Sequence, residues 1–163
     1  MLRVSKQSDR ATLVDATGLA AAAFGSATGA VDAAAGALLG VNPTDLTILG
    51  VLYGRRRLTA GAAASAARLS PAATSTAIQR LLAAGHITRT ADPDDRRRAL
   101  LMLTPEAQQL LERAYEPIGI EGRAALDAYS DAELRVIERF LASGRELQLA
   151  HAERIRGLKP SSS

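Results

Sequence analysis

The chain has 163 residues, enough for one domain with a hydrophobic core, and its 47% hydrophobic and 23% charged residues are ordinary for a soluble globular protein. It has no cysteine, which excludes disulfides, thiolate zinc sites and thiol-based redox switches. The net charge of +3 is unevenly distributed: nine arginines face four aspartates between residues 42 and 104, whereas eight basic residues face ten acidic ones after residue 104. This basic middle predicts contact with a polyanion.

A long amphipathic helix is predicted over residues 9–39, because small and apolar side chains recur there at spacings of three and four. Its glycines weaken the helix locally, so we expect it to need packing within or between subunits. Polar residues such as Asp32 interrupt the stretch Gly18–Val41, which makes it a poor candidate for a membrane span. The first residues lack the apolar core of a secretory signal. We therefore expect a soluble, cytoplasmic protein without a membrane partner.

Capping residues mark three further helices in the basic middle of the chain. Asn42, Thr59 and Ser70 each have a side chain that can cap the helix that follows. Gly85 supplies the left-handed residue that ends the third of these helices. The second and third helices are short and joined by a tight turn, which is typical of a helix-turn-helix.

The sequence period then changes to that of β-strands. His86–Thr90 and Ala99–Leu103 are two strand-like runs, and the charged turn Asp92–Arg98 lies between them. Together they predict a β-hairpin with a basic tip.

Two long helices are predicted after the hairpin. The first begins after Thr104, and Pro117 should kink or restart it. The second begins with a capping box in which Ser130 and Glu133 satisfy backbone amides reciprocally. The tail over residues 158–163 is rich in serine and is predicted to be disordered.

Three segments of the sequence resemble the MarR family (multiple antibiotic resistance regulators) of bacterial winged-helix repressors. They are Asn42–Leu46, Leu69–Gly85, and the turn Asp92–Arg98 with the following Leu101–Glu106. The resemblance implies a mainly α fold with a small β-hairpin wing, which is a winged helix-turn-helix flanked by dimerisation helices. It divides the chain into an N-terminal dimerisation helix, a DNA-binding module and C-terminal dimerisation helices, at residues 9–41, 42–104 and 105–157. One departure is Ala62–Ala67, where family members usually place a larger leucine or an acidic residue.

In the recognition helix, a small polar face lies opposite the apolar one. Serine, threonine, glutamine and arginine side chains can hydrogen-bond base edges or phosphates in the major groove. The predicted DNA-contacting residues of this helix are Ser70, Ala72, Ser75, Thr76, Gln79 and Arg80. The alternative is an ordinary solvent-exposed helix face.

The hairpin tip is the second predicted DNA contact, through Asp95, Arg96, Arg97 and Arg98. A guanidinium fits the narrow minor groove and its negative potential. In the family that this chain resembles, the second arginine after the aspartate enters the groove, which implies Arg97. Arg55 and Arg57 are candidate phosphate contacts, although basic residues at a helix C-terminus also complement the helix dipole.

These features predict a homodimer that binds a palindromic operator in double-stranded DNA and regulates transcription, most simply by repression. The resemblance also implies a crevice for a small aromatic or phenolic effector, and Phe24, Tyr53 and Tyr115 could line it or simply pack in the core. No catalytic constellation, metal-ligand spacing or cofactor motif is present. The alternatives are a winged-helix module for protein association, a nonspecific architectural DNA-binding protein, and a small helical enzyme or ligand carrier.

Overall fold

A computed structural model describes residues 2–93, 95 and 98–158, with side chains from residue 9 onward. Within these residues it contains six helices and a small antiparallel sheet of three strands. The predicted fold class, mainly helical with a small wing, is confirmed. The helices are α1 (Leu2–Leu39), α2 (Pro43–Arg55), α3 (Ala60–Ala67), α4 (Pro71–Ala83), α5 (Pro105–Leu126) and α6 (Asp131–Arg156), and the strands are β1 (Arg57–Thr59), β2 (Ile87–Ala91) and β3 (Ala99–Leu103).

The chain divides into two compact units, one up to residue 115 and one from residue 116 onward, so that α5 contributes to both. In the first unit, α1 starts seven residues earlier than predicted, at Leu2 instead of residue 9. The extra segment contains no glycine or proline, so helical hydrogen bonding can propagate through it. Gly40, with φ of +67°, ends α1.

The N-caps predicted in the basic middle are all present. The Asn42 side chain accepts a hydrogen bond from the Asp45 amide at 3.0 Å. The hydroxyls of Thr59 and Ser70 each accept one from the amide three residues later, at 3.2 Å. Because each cap satisfies an amide that has no partner inside its helix, these three residues determine where α2, α3 and α4 begin.

The sheet contains one strand that was not predicted. β3 lies in the centre and pairs with β2 on one side and β1 on the other, in the order β1-β3-β2. The predicted hairpin is therefore present, and β1 adds the register pair Leu58–Leu101. A segment of three residues is too short to show a strand period, and its pairing partner lies more than 40 residues away.

The core of the first unit lies where α2, α4, α5 and the sheet meet. Its largest fully buried side chains are Ile48, Leu49, Leu52, Ile78, Leu81, Leu101 and Leu111. Ala63 is completely buried and is the one buried residue of α3. The small side chain lets α3 approach α2 and α4 closely, which explains how a helix made almost entirely of alanine and glycine is held in place.

In the second unit, α5 continues through Pro117 as far as Leu126. The prediction that Pro117 restarts the helix was wrong. Proline removes one backbone hydrogen bond, to the carbonyl of Arg113, and both residues are exposed, so water can replace that bond. The capping box at the start of α6 is confirmed, with the Ser130 amide donating to Glu133 Oε2 at 2.8 Å.

Among the described helices, α1 meets the length and hydropathy criteria for a membrane span over Asp9–Leu39. From the sequence, the overlapping stretch Gly18–Val41 was expected to be a poor membrane span because polar residues interrupt it. Length and composition are weak evidence, since the packing helices of soluble proteins also pass this test. At its C-terminal end, Ala35, Gly36 and Leu39 are buried within the first unit.

Candidate nucleic-acid interface and adjoining cavity

The recognition helix α4 is oriented by its apolar face. Thr74, Ala77, Ile78 and Leu81 are buried, as the sequence predicted. The predicted DNA-contacting residues Ser70, Ala72, Ser75, Thr76, Gln79 and Arg80 are all exposed. The first unit therefore places a small, polar helix face at its surface, as major-groove contact requires.

The polar side chains on this face differ in how they are engaged within the protein. Ser70 caps the helix, and the Thr76 hydroxyl donates to the Ala72 carbonyl at 3.0 Å. The side chains of Ser75 and Gln79 form no hydrogen bond with any other described residue. Their hydrogen-bonding groups are therefore free to pair with an external partner.

Arg80 has a partner that the sequence analysis missed. Its guanidinium donates two hydrogen bonds to the Asp45 carboxylate, at 2.6 and 2.9 Å. Asp45 is buried and also accepts a hydrogen bond from the Asn42 side chain at 2.9 Å. The hydrogen bond from Arg80 to Asp45 raises the pKa of the guanidinium, although desolvation opposes this shift. The DNA contact of Arg80 stays a prediction, and the structure adds that this side chain joins α4 to α2.

The sequence offered only a weak signal for this ion pair. Asp45 lies in the first turn of α2, where a carboxylate favourably complements the helix dipole, and Arg80 lies 35 residues away. The one sequence feature that favours this contact is that Asp45 and Arg80 each lie next to an apolar position of their helix.

The hairpin turn is only partly within the described residues. Asp95 and Arg98 are exposed, and the Arg98 amide donates to the Asp95 carbonyl at 2.8 Å. The Asp92 amide donates to the Arg98 carbonyl at 3.0 Å and closes the turn. The predicted contacts Arg96 and Arg97 lie outside the described residues, as does residue 94.

The basic run before the helix-turn-helix is exposed but is divided between two elements. Arg55 is the last residue of α2, and Arg56 has φ of +63° at its C-cap. Arg57 is in β1, opposite Met102. The hairpin turn joins β3 at Ala99, which lies three residues before Met102 in the strand. This separation corresponds to about 10 Å. Arg55 and Arg57 are thus near one end of the sheet and the hairpin turn is near the other.

A cavity of about 950 Å³ lies within the first unit, between α1, α2 and the first half of α5. Tyr53 and Tyr115 line it, whereas Phe24 does not and is 67% exposed. The Tyr115 hydroxyl donates to Asp32 Oδ1 at 2.8 Å. Burial, and then the hydrogen bond and charge of Asp32, raise the pKa of Tyr115 to about 12. The structure therefore brings together two of the three predicted pocket residues and adds Asp32, which the sequence analysis had treated as an interruption of an apolar stretch.

The described residues contain no group of three or more histidine, cysteine or acidic side chains that could hold a metal ion.

A family model described as "MarR family" matches residues 39–98. That range runs from the end of α1 through the helix-turn-helix and β2 to the last arginine of the hairpin turn. Over these residues the chain is similar to the MarR family. The match covers Asn42–Leu46, Leu69–Gly85 and Asp92–Arg98 and ends before Leu101–Glu106.

Two known regulators are also similar to this chain. An uncharacterized HTH-type transcriptional regulator of Bacillus subtilis (strain 168), YcgE, is 27% identical over 123 residues, which is 76% of this chain and 80% of the relative. A MarR transcriptional regulator from Methanosarcina mazei Go1 is 20% identical with a TM-score of 0.58, over 83% of this chain and 98% of that one. At that identity the likeness to the Methanosarcina structure concerns the fold.

AbfR, a third similar protein, has been solved in two states. Its disulfide form is 16% identical with a TM-score of 0.60, over 93% of this chain and 99% of that one. Its overoxidized form bound to DNA is 18% identical with a TM-score of 0.50, over 86% and 98%. At these identities the likeness concerns the fold alone. The disulfide has no counterpart in this chain, which lacks cysteine.

Proposed function

We propose that this protein is a transcriptional regulator of the MarR family. In this proposal it binds a specific sequence in double-stranded DNA, with α4 in the major groove and the hairpin turn at the minor groove. The observation that carries the proposal is the exposed polar face of α4, on which Ser75 and Gln79 have no internal partner among the described residues. Glutamine can pair with adenine through two hydrogen bonds, and serine can pair with several bases. Because Arg80 is bound by Asp45, Gln79 is the stronger candidate for reading a base.

The arginines of the hairpin turn supply the second part of the interface. Arg98 is exposed beside the turn, and Arg96 and Arg97 precede it in the sequence. A guanidinium in the minor groove responds to groove width and potential more than to base identity. In this proposal Arg97 enters the groove, and Arg55 and Arg57 contact phosphates. These contacts supply affinity, while α4 supplies sequence preference.

The proposed DNA-binding form is a homodimer. Two half-sites on adjacent major grooves lie about 34 Å apart, a spacing that a symmetric dimer can set. None of the described side chains of α6 is buried, yet Val136, Phe140, Leu141 and Leu147 are apolar and exposed. Leu13, Val14, Leu19 and Phe24 of α1 are exposed as well. Apolar surface on this scale favours association, and both helices flank the DNA-binding module.

We further propose repression that a small molecule relieves, in the cytoplasm and without a catalytic step. Bound in the cavity between α1, α2 and α5, an effector would contact α2, which Asp45 joins to the recognition helix. A ligand changes DNA affinity only if it binds the two states of the protein differently.

The proposal is tested by titrating the protein against duplex DNA from upstream of its own gene and against random duplex, at two salt concentrations. We expect tight binding to the upstream fragment that weakens as salt rises, with a slope of about −0.9 per phosphate contact. Gln79→Ala should reduce the ratio of specific to random binding, whereas Arg97→Ala should weaken binding to both.

Arg139→Ala is the matched control, because Arg139 is an exposed arginine on α6 outside the proposed interface. Equal binding to the upstream and random duplexes would favour the nonspecific architectural role. Absence of binding to either duplex would contradict the proposal and favour a winged helix used for protein association.

A further inference from the structure

The lining of the cavity between α1, α2 and α5 carries charge of only one sign. Most of the lining is apolar or small: Gly29, Ala33, Gly36, Val41, Pro43, Leu46, Gly50 and Leu111. The polar lining residues are Asp32, Thr47, Tyr53 and Tyr115. No lysine, arginine or histidine is among the described residues that line it. Any charged ligand therefore meets a carboxylate and no protein cation.

Within the cavity, Asp32 contacts the neutral phenol of Tyr115. The phenol hydroxyl of Tyr115 donates to Asp32 Oδ1 at 2.8 Å, and the pKa of Tyr115 is raised to about 12. Tyr115 is therefore neutral at physiological pH and orients the carboxylate without cancelling its charge. Within the described part of the chain, Asp32 forms no ion pair with a basic side chain.

The dimensions of the cavity suit an organic molecule. A volume of about 950 Å³ lies near the upper end of the range for small-molecule sites, which is about 300–1,000 Å³. Such sites combine apolar walls with a few polar groups that orient the ligand, and here those groups are Asp32, Tyr115 and Tyr53. The tyrosine rings can also attract a cation placed over their faces.

We infer that this cavity binds an organic cation with an apolar, preferably aromatic, body, whose positive group lies at Asp32. The inference deepens the proposed function by naming the class of its effector, and it rests on that proposal for its regulatory meaning. It keeps the aromatic body that the sequence analysis expected and adds a positive charge, which a phenolic ligand lacks. An aromatic carboxylate would face the charge of Asp32 with no compensating cation, and a neutral phenol would gain only a hydrogen bond.

The inference is tested with three probes that share one apolar body: naphthylmethylammonium, naphthylmethanol and naphthylacetate. Each is titrated into the full-length protein without DNA by isothermal calorimetry. We expect the cation to bind about tenfold more tightly than the carboxylate, with the alcohol between them, and added salt should narrow this difference. Because this comparison uses the unmodified protein, it does not depend on the folding of any variant.

Two variants then locate the site. Asp32→Asn should remove the preference for the cation. Its control is Asp15→Asn, which removes the same charge from the same helix at a position that does not line the cavity and should leave the preference unchanged. Gly50→Leu should abolish binding of all three probes by filling the cavity, since a Cβ at Gly50 meets no atom within 4 Å. Gly54→Leu is its control, because Gly54 is also on α2 and does not line this cavity.

Several results would overturn the inference: no binding of any probe, equal or tighter binding of the carboxylate, or an unchanged preference in Asp32→Asn. Its failure is separable from failure of the proposed function, because DNA is absent from these titrations. If the upstream duplex binds and the carboxylate is preferred, only the ligand class is wrong. If the cation binds as expected and no duplex binds, only the DNA proposal fails.

Discussion

Arg80 and Asp45 have a contact that only the tertiary structure shows. The pattern along α4 predicted Arg80 as a DNA contact, and Asp45 lies in the first turn of α2. In the structure they form an ion pair in which the Asp45 side chain is 5% exposed and that of Arg80 is 45% exposed. The burial of one partner makes the pair more than a surface contact, because a buried carboxylate needs its hydrogen-bond donors.

We expect Arg80→Ala to lower the free energy of unfolding, since it leaves the buried carboxylate of Asp45 without its principal partner. The effect is smaller than for a fully buried ion pair because Arg80 is partly in water. Urea unfolding at fixed protein concentration measures it. Arg89→Ala, which removes an exposed arginine of β2, should change stability much less. Equal effects of the two substitutions would show that the ion pair is not stabilising.

Tyr115 provides a prediction about pH. Its pKa of about 12 in the folded protein exceeds the value near 10 of an unfolded chain. The contribution of the neutral phenol to stability is therefore complete below about pH 10 and is lost as pH rises from there towards 12.

The ionisation of Tyr115 can be followed by phenolate absorbance in a Tyr53→Phe, Tyr129→Phe background, in which it is the one remaining tyrosine. We expect Asp32→Asn to lower the pKa of Tyr115, because it removes the negative charge that opposes phenolate formation. An unchanged pKa would mean that burial alone accounts for the shift.

At the scale of elements, capping residues in the sequence predicted where helices begin. The sequence did not predict the strand β1 or the continuation of α5 through Pro117. Ser130 and Glu133 form the predicted capping box because all its atoms lie within four consecutive residues. β1 exists because β3 offers a pairing edge, and α5 passes Pro117 because the exposed helix tolerates one lost hydrogen bond. Neither the pairing edge of β3 nor the exposure of α5 at Pro117 can be read from the sequence of β1 or α5 alone.

We expect Ser130→Ala to destabilise the protein by about 1 kcal/mol, the usual cost of losing an N-cap. The hydrogen bonds from Ser130 also lower the pKa of Glu133. The cap should therefore be at full strength above the unfolded pKa of glutamate and weaken as pH falls through the lowered folded value.

Thermal unfolding of Ser130→Ala beside Ser143→Ala checks this prediction. Ser143 is an exposed residue within α6, where alanine favours the helix. The expectation fails if the two variants unfold at the same temperature.

At the scale of the whole molecule, the exposed apolar residues of α6 make association the central prediction. We expect Phe140→Glu to shift the protein from dimer to monomer, because the substitution places a charge in the apolar surface that a partner subunit would cover. Sedimentation velocity over a range of concentrations measures the change. Arg139→Glu introduces the same carboxylate at the adjacent exposed position and should leave the dimer intact. A dimer that survives Phe140→Glu would place the interface elsewhere.

The sequence by itself determined the order of the helices, the caps at Asn42, Thr59 and Ser70, the hairpin, and the polar outer face of α4. These features depend on interactions between residues a few positions apart, so that periodicity and capping chemistry are sufficient to predict them. The family resemblance also followed from short contiguous segments, and the match over residues 39–98 confirmed it.

Only the tertiary structure decided which side chains meet across the fold. The Arg80–Asp45 pair, the Leu58–Leu101 pairing of β1 and the contact of Tyr115 with Asp32 join residues 35, 43 and 83 positions apart. Such contacts depend on how helices and strands pack, because each partner has several plausible roles within its own segment. For that reason the sequence indicated a DNA-binding helix, whereas the charge of the neighbouring cavity emerged only when α1 and α5 were brought together.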